Sequence, residues 1–205
     1  MVPLARLARG VRPSAGLSLV ASPGGAGARD ARPPYPQQAM ARFRLVPEQS
    51  ELWAEARSRL HPVRVHTAGL TGVVEAEFGA NGAMLATPTH VELEARLLRS
   101  GHGLLDGELQ RRLETRTYPR IRAELTGVVV AGDGLRLTGA LTFHGVTRSL
   151  EVDVTVRQLD PACLVIEGAR VIDMREFALP PPSFLMFKVQ PEVQVRARLV
   201  AEHDA

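Results

Sequence analysis

The stretch Leu135-Arg136-Leu137-Thr138-Gly139-Ala140-Leu141-Thr142-Phe143-His144-Gly145-Val146-Thr147-Arg148-Ser149-Leu150-Glu151-Val152-Asp153-Val154 decides the fold. Leu135, Leu137, Gly139, Leu141 and Phe143 alternate with Arg136, Thr138, Ala140, Thr142 and His144. After the turn, Val146, Leu150, Val152, Val154 and Val156 alternate with Thr147, Ser149, Glu151, Asp153 and Thr155. Successive side chains of a strand point to opposite faces, so each half reads as a strand with one apolar and one wet face. His144-Gly145 between them is a tight turn, which makes the pair an antiparallel hairpin.

The same period extends outward in both directions. Val91, Leu93, Ala95 and Leu97 alternate with His90, Glu92, Glu94 and Arg96, and Val193, Val195, Ala197 and Leu199 with Glu192, Gln194, Arg196 and Arg198. Weaker strands fit residues 41–46, 52–58, 73–78, 121–130 and 164–172, with turn signals at Ala80-Asn81-Gly82 and Gly132-Asp133-Gly134. One segment departs from the pattern. Leu105, Leu109 and Leu113 recur every four residues, which predicts a short amphipathic helix over 104–116 ending near Tyr118-Pro119. Eight or nine long alternating strands leave sheet edges that closure removes, so the expectation is an all-β antiparallel barrel with one short α-helix.

Composition limits the function classes. The 205 residues are 45% hydrophobic and 23% charged, as in a globular protein, and the formal net charge is +3. That excess is local: residues 1–40 hold five Arg and one Asp, whereas the rest holds 20 cations and 21 anions. A near-neutral domain with few aromatics lacks the basic groove and stacking platform of a nucleic-acid binder, so no nucleic acid is expected as partner. No apolar run approaches a membrane span, so no transmembrane segment is expected.

Residues 1–40 are rich in Gly, Pro, Ala and Arg and read as an extension, with the domain over 41–205. Three readings of the extension compete: a solvated tail, a secretory signal, and a start site assigned too early, with Met40 as the natural beginning. The apolar core of the signal, Leu17-Ser18-Leu19-Val20-Ala21, is shorter than such segments require. A cytoplasmic location follows from that shortfall.

No catalytic constellation stands out, and the expectation is a non-enzymatic protein without cofactor or metal. His61 and His66 are separated by an odd number of positions and face opposite ways in a strand, which makes them poor joint ligands. Cys163 has no flanking basic environment and no Gly-x-Ser-x-Gly occurs. His144 reads as a turn residue; His66 and His144 are the acid–base groups of the alternative, an enzyme acting on a hydrophobic small molecule.

Three pieces together resemble the YceI-like family. They are the turn motif His144-Gly145-Val146-Thr147-Arg148, the step Tyr118-Pro119-Arg120-Ile121, and the opening turn Val46-Pro47-Glu48-Gln49-Ser50. The resemblance spans roughly residues 42–201 and implies a lipocalin-like eight-stranded barrel that holds a long amphiphile such as a polyisoprenoid; it also leaves export open. The chain departs from the family at the opening turn, where the family often has Asp-Pro-x-His-Ser. It departs again at Arg175-Glu176-Phe177-Ala178, where the family has Arg-x-Phe-Gly.

Inward positions are mostly Val, Leu and Ala with few aromatics, which leaves room for a ligand. The expected partner is an amphipathic lipid. Its wall is expected to include Leu93, Leu97, Leu137, Leu141, Leu150, Val152, Val195 and Leu199, with Leu105, Leu109, Phe184 and Met186 at the mouth. The run Phe184-Leu185-Met186-Phe187 is apolar on consecutive positions and reads as a flap, a cover over a sheet edge or a homodimer contact. A barrel whose interior is simply packed is the remaining alternative.

Overall fold

The computed structural model describes residues 39–58, 62–79, 82–179, 183–184 and 187–204. The extension through residue 38, Leu185 and Met186 of the apolar run, and the turn at Ala80-Asn81 lie outside them. In chain order the strands are β1 (Ala39–Leu45), β2 (Glu51–Ser58), β3 (Val63–Ala68), β4 (Thr71–Gly79) and β5 (Gly82–Glu94). Helix α1 (Gly103–Arg112) follows, then β6 (Arg120–Ala131), β7 (Gly134–Phe143), β8 (Val146–Asp160), β9 (Cys163–Asp173), β10 (Ser183–Phe184) and β11 (Phe187–His203). Short 3-10 turns cover Ala95–Leu97 and Met174–Phe177.

Neighbouring strands run β1-β4-β5-β6-β7-β8-β9-β11, and β11 returns to β1 through Phe43↔His203, Arg44↔Glu202 and Leu45↔Ala201. That ring has eight members, all antiparallel. Strands β2 and β3 continue β1 and β4: β2 takes over the same edge of β11 at Arg198, and β3 pairs with β2 as β4 pairs with β1. The result is an eight-stranded antiparallel β-barrel in which two strands are broken by a kink. The kinks lie side by side, since Gly69 N–H donates to the Pro47 carbonyl at 2.8 Å. At the first kink Ser50 substitutes for a strand residue. Its buried hydroxyl donates to Val200 O at 3.2 Å and accepts from Val200 N at 3.1 Å.

Alternation sorts the side chains as the period of two requires. Outward charges pair across strands, as in Arg136–Asp153 (2.7 Å), Arg157–Glu167 (2.8 Å) and Arg64–Glu55 (2.8 Å). Inward residues are unevenly buried along the barrel. At the end that holds the β6–β7 and β8–β9 turns, Phe43, Val74, Leu85, Leu135 and Leu164 are buried. At the other end Leu93, Leu98, Leu113, Phe143, Phe177 and Leu179 are buried. Between the two packed ends the inward residues Leu52, Leu137, Leu141, Val152, Val195 and Leu199 are only half-buried. Close packing holds the ends, and the middle lacks it.

The helix is shorter than its leucine spacing predicts. It ends at Arg112, and Glu114 takes a left-handed φ of 44°, which lets its carbonyl accept from both Thr117 N and Tyr118 N at 2.8 Å. Gln110 Nε2 ties the helix to the preceding turn by donating to Leu98 O at 3.0 Å. Leu109 and Leu113 face the barrel. Two ladders are incomplete. β5 meets β6 only over His90–Glu94, and β8 meets β9 only over Val154–Asp160. The first half of β8 and the second half of β9 therefore part.

Candidate functional site

The unpacked middle of the barrel is a cavity of two lobes. One, of about 280 Å³, is lined by residues including Leu85, Leu125, Leu137, Leu150, Val152 and Leu199. The other, of about 320 Å³ and nearer the helix, is lined by residues including Val63, Leu93, Leu109, Ile121, Met174 and Val193. Leu52, Leu70, Val91, Ala123, Leu141, Ile172 and Val195 line both, so the lobes are neighbouring parts of one interior. Polar residues are a minority at this wall. Thr89, His90, Glu124 and Arg170 stand at the first lobe, and Glu92, Arg112 and Gln190 at the second. Taken together the lobes fall within the size range of small-molecule sites.

Of the wall residues expected from sequence, Leu93, Leu137, Leu141, Leu150, Val152, Val195 and Leu199 stand at the cavity, as does Leu109, expected at the mouth. Leu97 does not. The alternation that placed it inward assumes a strand through residue 97, but the backbone leaves β5 after Glu94 and winds into a 3-10 turn, leaving Leu97 36% exposed. Leu105 also stands off the wall. The helix turns its Leu109–Leu113 stripe toward the barrel, so its first turn projects away, with Leu105 38% and Leu104 94% exposed. Phe184 contributes a backbone pairing, Phe184↔Phe187, that makes β10 the cap of β11. Its side chain and all of Met186 lie outside the described residues.

Neither histidine of the enzyme alternative lines the cavity. His66 is on the outer face of β3, its ring 5.6 Å from that of Trp53 and its Nε2 3.8 Å from Glu51. His61 lies outside the described residues. Among the described residues no three metal-ligating side chains converge. Cys163 is half-buried at the β8–β9 turn, and burial raises its thiol above the ordinary value, which disfavours the thiolate.

The motif His144-Gly145-Val146-Thr147-Arg148 closes the helix end of the barrel. His144 and Gly145 both take positive φ, 49° and 74°, as a two-residue turn between antiparallel strands requires. The His144 ring packs on Tyr118 at 4.5 Å. Its Nδ1 lies 3.2 Å from the Phe177 carbonyl, which makes Nδ1 the protonated nitrogen of the neutral ring. Nε2 lies 3.5 Å from Glu114 Oε1, an ion-pair distance for the protonated ring, and the imidazole is 10% exposed. Thr147 shares a 2.8 Å hydroxyl contact with Thr142 across the hairpin, and Arg148 Nη1 donates to Thr147 O at 3.3 Å. The motif thus joins β7, β8, the helix exit and the 3-10 turn after β9.

Sequence reasoning missed Arg170. Its cross-strand partner is Val195, a residue of the cavity wall, so Arg170 shares the inner face of β9 with Gly168 and Ile172. The period-two reading of Gly168, Arg170 and Ile172 carried that signal, but the apolar Val171 on the opposite face masked it. No helix among the described residues is long and apolar enough to cross a membrane.

Known structures share this architecture. BcnA of Burkholderia cenocepacia superimposes with a TM-score of 0.66 at 19% identity, over 76% of this chain and 98% of that one. A polyisoprenoid binding domain from Saccharophagus degradans, implicated in plant cell wall breakdown, superimposes with a TM-score of 0.63 at 15% identity, over 78% and 98%. The YceI protein of Campylobacter jejuni follows with a TM-score of 0.59 at 12% identity, over 72% and 88%. Among curated proteins, an octanoyltransferase of Ectopseudomonas mendocina is 32% identical over 84 residues, which is 38% of this chain. The match spans 40% of that enzyme's length. The YceI-like domain matches residues 43–201, from the first buried residue of β1 to the last of β11, and the chain belongs to that family.

Proposed function

We propose that the barrel sequesters or carries an amphipathic lipid, its chain held in the two-lobed interior. The observation that carries this reading is the unpacked middle between two packed ends, walled almost entirely by Leu, Val, Ile and Ala. A barrel built only for stability would fill that volume, because each unfilled methylene site forgoes dispersion and burial. Burying one methylene contributes about 0.8 kcal/mol, so a ten-carbon chain gains about 8 kcal/mol before ordering and association costs. The wall is equally apolar along its length, which suits an isoprenoid or other long chain and discriminates weakly between chain types. The polyisoprenoid binding named for the Saccharophagus degradans domain is consistent with such a chain.

Native mass spectrometry of the purified protein, coupled to organic extraction, tests the reading. A co-purified lipid of defined mass is expected. Absence of lipid, together with failure of added geranylgeraniol and geranylgeranyl monophosphate to bind, overturns it.

A further inference from the structure

The parting of β8 from β9 leaves a window in the barrel wall. Its two limits are fixed. At one end the ladder begins at Val154↔Gly168, where the strands approach so closely that a Cβ on Gly168 would stand 2.8 Å from Val154 Cγ1. At the other, His144 Nδ1 meets the Phe177 carbonyl at 3.2 Å. Between these limits no backbone pairing joins Val146–Asp153 to residues 169–173 among the described residues. Ala169, Arg170 and Val171 are all exposed although their side chains alternate between faces, so here the inner face of β9 meets solvent as well as the outer one.

Arg170 stands in this window. Register sets it on the inner face opposite Val195, and it lines the same lobe as Leu150 and Val152. Its Nη1 donates across the gap to the carbonyl of Glu151, a group that the interrupted ladder leaves without a strand partner on that side. Among the described residues no carboxylate pairs with it, whereas Arg136, Arg157 and Arg175 each hold an acidic partner nearby. The other incomplete seam, between β5 and β6, is different: the charged residue at its lobe is Glu124, already paired with Arg122 at 2.7 Å. A guanidinium with no counter-ion, facing an apolar interior at an opening to water, presents a planar fork of donors suited to a phosphate or carboxylate.

We infer that Arg170 is the headgroup site of the bound lipid, and that the barrel prefers a chain ending in an anionic group, seated at the β8–β9 window. The inference rests on the carrier reading above. On binding, the guanidinium exchanges the Glu151 carbonyl for the anionic oxygens, while the chain lies along Leu150, Val152 and Leu141 into the lumen. Arg148, on the inner-face register of β8 and likewise without a carboxylate partner among the described residues, adds positive potential at the far end of the window.

The test compares two probes that share one chain, geranylgeranyl monophosphate and geranylgeraniol, titrated into the full-length protein by native mass spectrometry or calorimetry. The wild type is expected to bind the phosphate about tenfold more tightly than the alcohol. Arg170→Gln is expected to weaken the phosphate far more than the alcohol, so that the preference falls to near unity, and Arg170→Lys to retain part of it. Leu141→Trp, which fills the lumen, is expected to weaken both probes. An unchanged phosphate-to-alcohol ratio in Arg170→Gln overturns the headgroup assignment while leaving the carrier reading standing. Failure of both probes on the wild type overturns the carrier reading and the assignment with it.

Discussion

Gly145 lies directly against the ring of Tyr118: a Cβ at Gly145 would stand 2.6 Å from Tyr118 Cε1. Two pieces of sequence that are 27 positions apart in the chain, the turn motif and the helix exit, thereby form a single joint at one end of the barrel. Gly145→Ala suffers twice, from the positive φ of 74° and from the ring. We expect it to cost about 1–3 kcal/mol in denaturant unfolding. Tyr118→Ala in the same background is expected to return part of that loss, since it relieves the contact and leaves the backbone strain. Equal stability of Gly145→Ala and wild type would count against this joint.

Ser50→Ala removes a buried hydroxyl that satisfies both the N–H and the C=O of Val200. The Val200 N–H loses its partner where water does not reach freely, while its carbonyl keeps the Val46 N–H at 2.8 Å. The expected loss is about 1–3 kcal/mol in the urea midpoint at unchanged m-value. A change within about 0.5 kcal/mol would show that the kink finds another partner for Val200.

The packed ends and the open middle respond differently to truncation. Phe43 is fully buried between Phe78 and His203, and Phe43→Ala is expected to cost about 3–5 kcal/mol. Leu137 faces the cavity and is only half-buried, so Leu137→Ala is expected to cost less than about 2 kcal/mol, the lower edge for close-packed leucines. Chemical denaturation of both variants checks the contrast, and equal losses would mean that the middle is as well packed as the end.

Ala178, at the position where the resemblance implies glycine, takes a backbone conformation that favours glycine. It caps the 3-10 turn Met174–Phe177 in the left-handed region at φ 56°, with its N–H donating to Arg175 O at 3.1 Å. Ala178→Gly relieves that conformation and is expected to raise stability by about 1 kcal/mol, read as a higher melting temperature. A lower melting temperature would contradict this account.

Asp106 ties the first turn of α1 to the loop before it, accepting from Ser100 N and from Ser100 Oγ at 2.7 Å. The Ser100 N–H, then its hydroxyl, hold the carboxyl below its ordinary value. A depressed folded-state pKa means that this contribution is present above the unfolded value of about 3.9 and is lost as pH falls through the lower, folded one. Asp106→Asn is expected to lower stability at pH 7 and to narrow its gap to wild type as the pH falls below about 3.9. Denaturant midpoints at pH 7, 4 and 2.5 would show it; a gap that is constant across these pH values would speak against it.

The strands and their facing were legible because a period of two reports burial directly, as in Leu135–Phe143 and Val193–Leu199. Periodicity does not say where a backbone stops being a strand, so Leu97 was extrapolated past the 3-10 turn that begins at Ala95. It does not reveal which edges pair either. That β8 meets β9 over only half its length depends on twist and on the turn at Asp160–Cys163, and neither is written in alternation. Seven of the eight expected wall positions reach the cavity because strand facing is local information. Arg170 at its window escaped notice because an inward charge is a defect until the missing neighbour is known.

Arg44 and Asp204, bonded across the closing seam, are 160 positions apart, and the strand that completes the ring is the last of its eight in chain order. During synthesis β1 and β4 pair early, yet the edge of β1 stays open until residues 201–203 leave the ribosome. Every ladder but those of β11 with β1 and β2 joins strands that are near one another in sequence, so the slow step of folding is expected to be this final docking. Until it occurs, the chain is a curved open sheet with an apolar concave face, and the moment of closure sets when the interior first becomes separate from its surroundings.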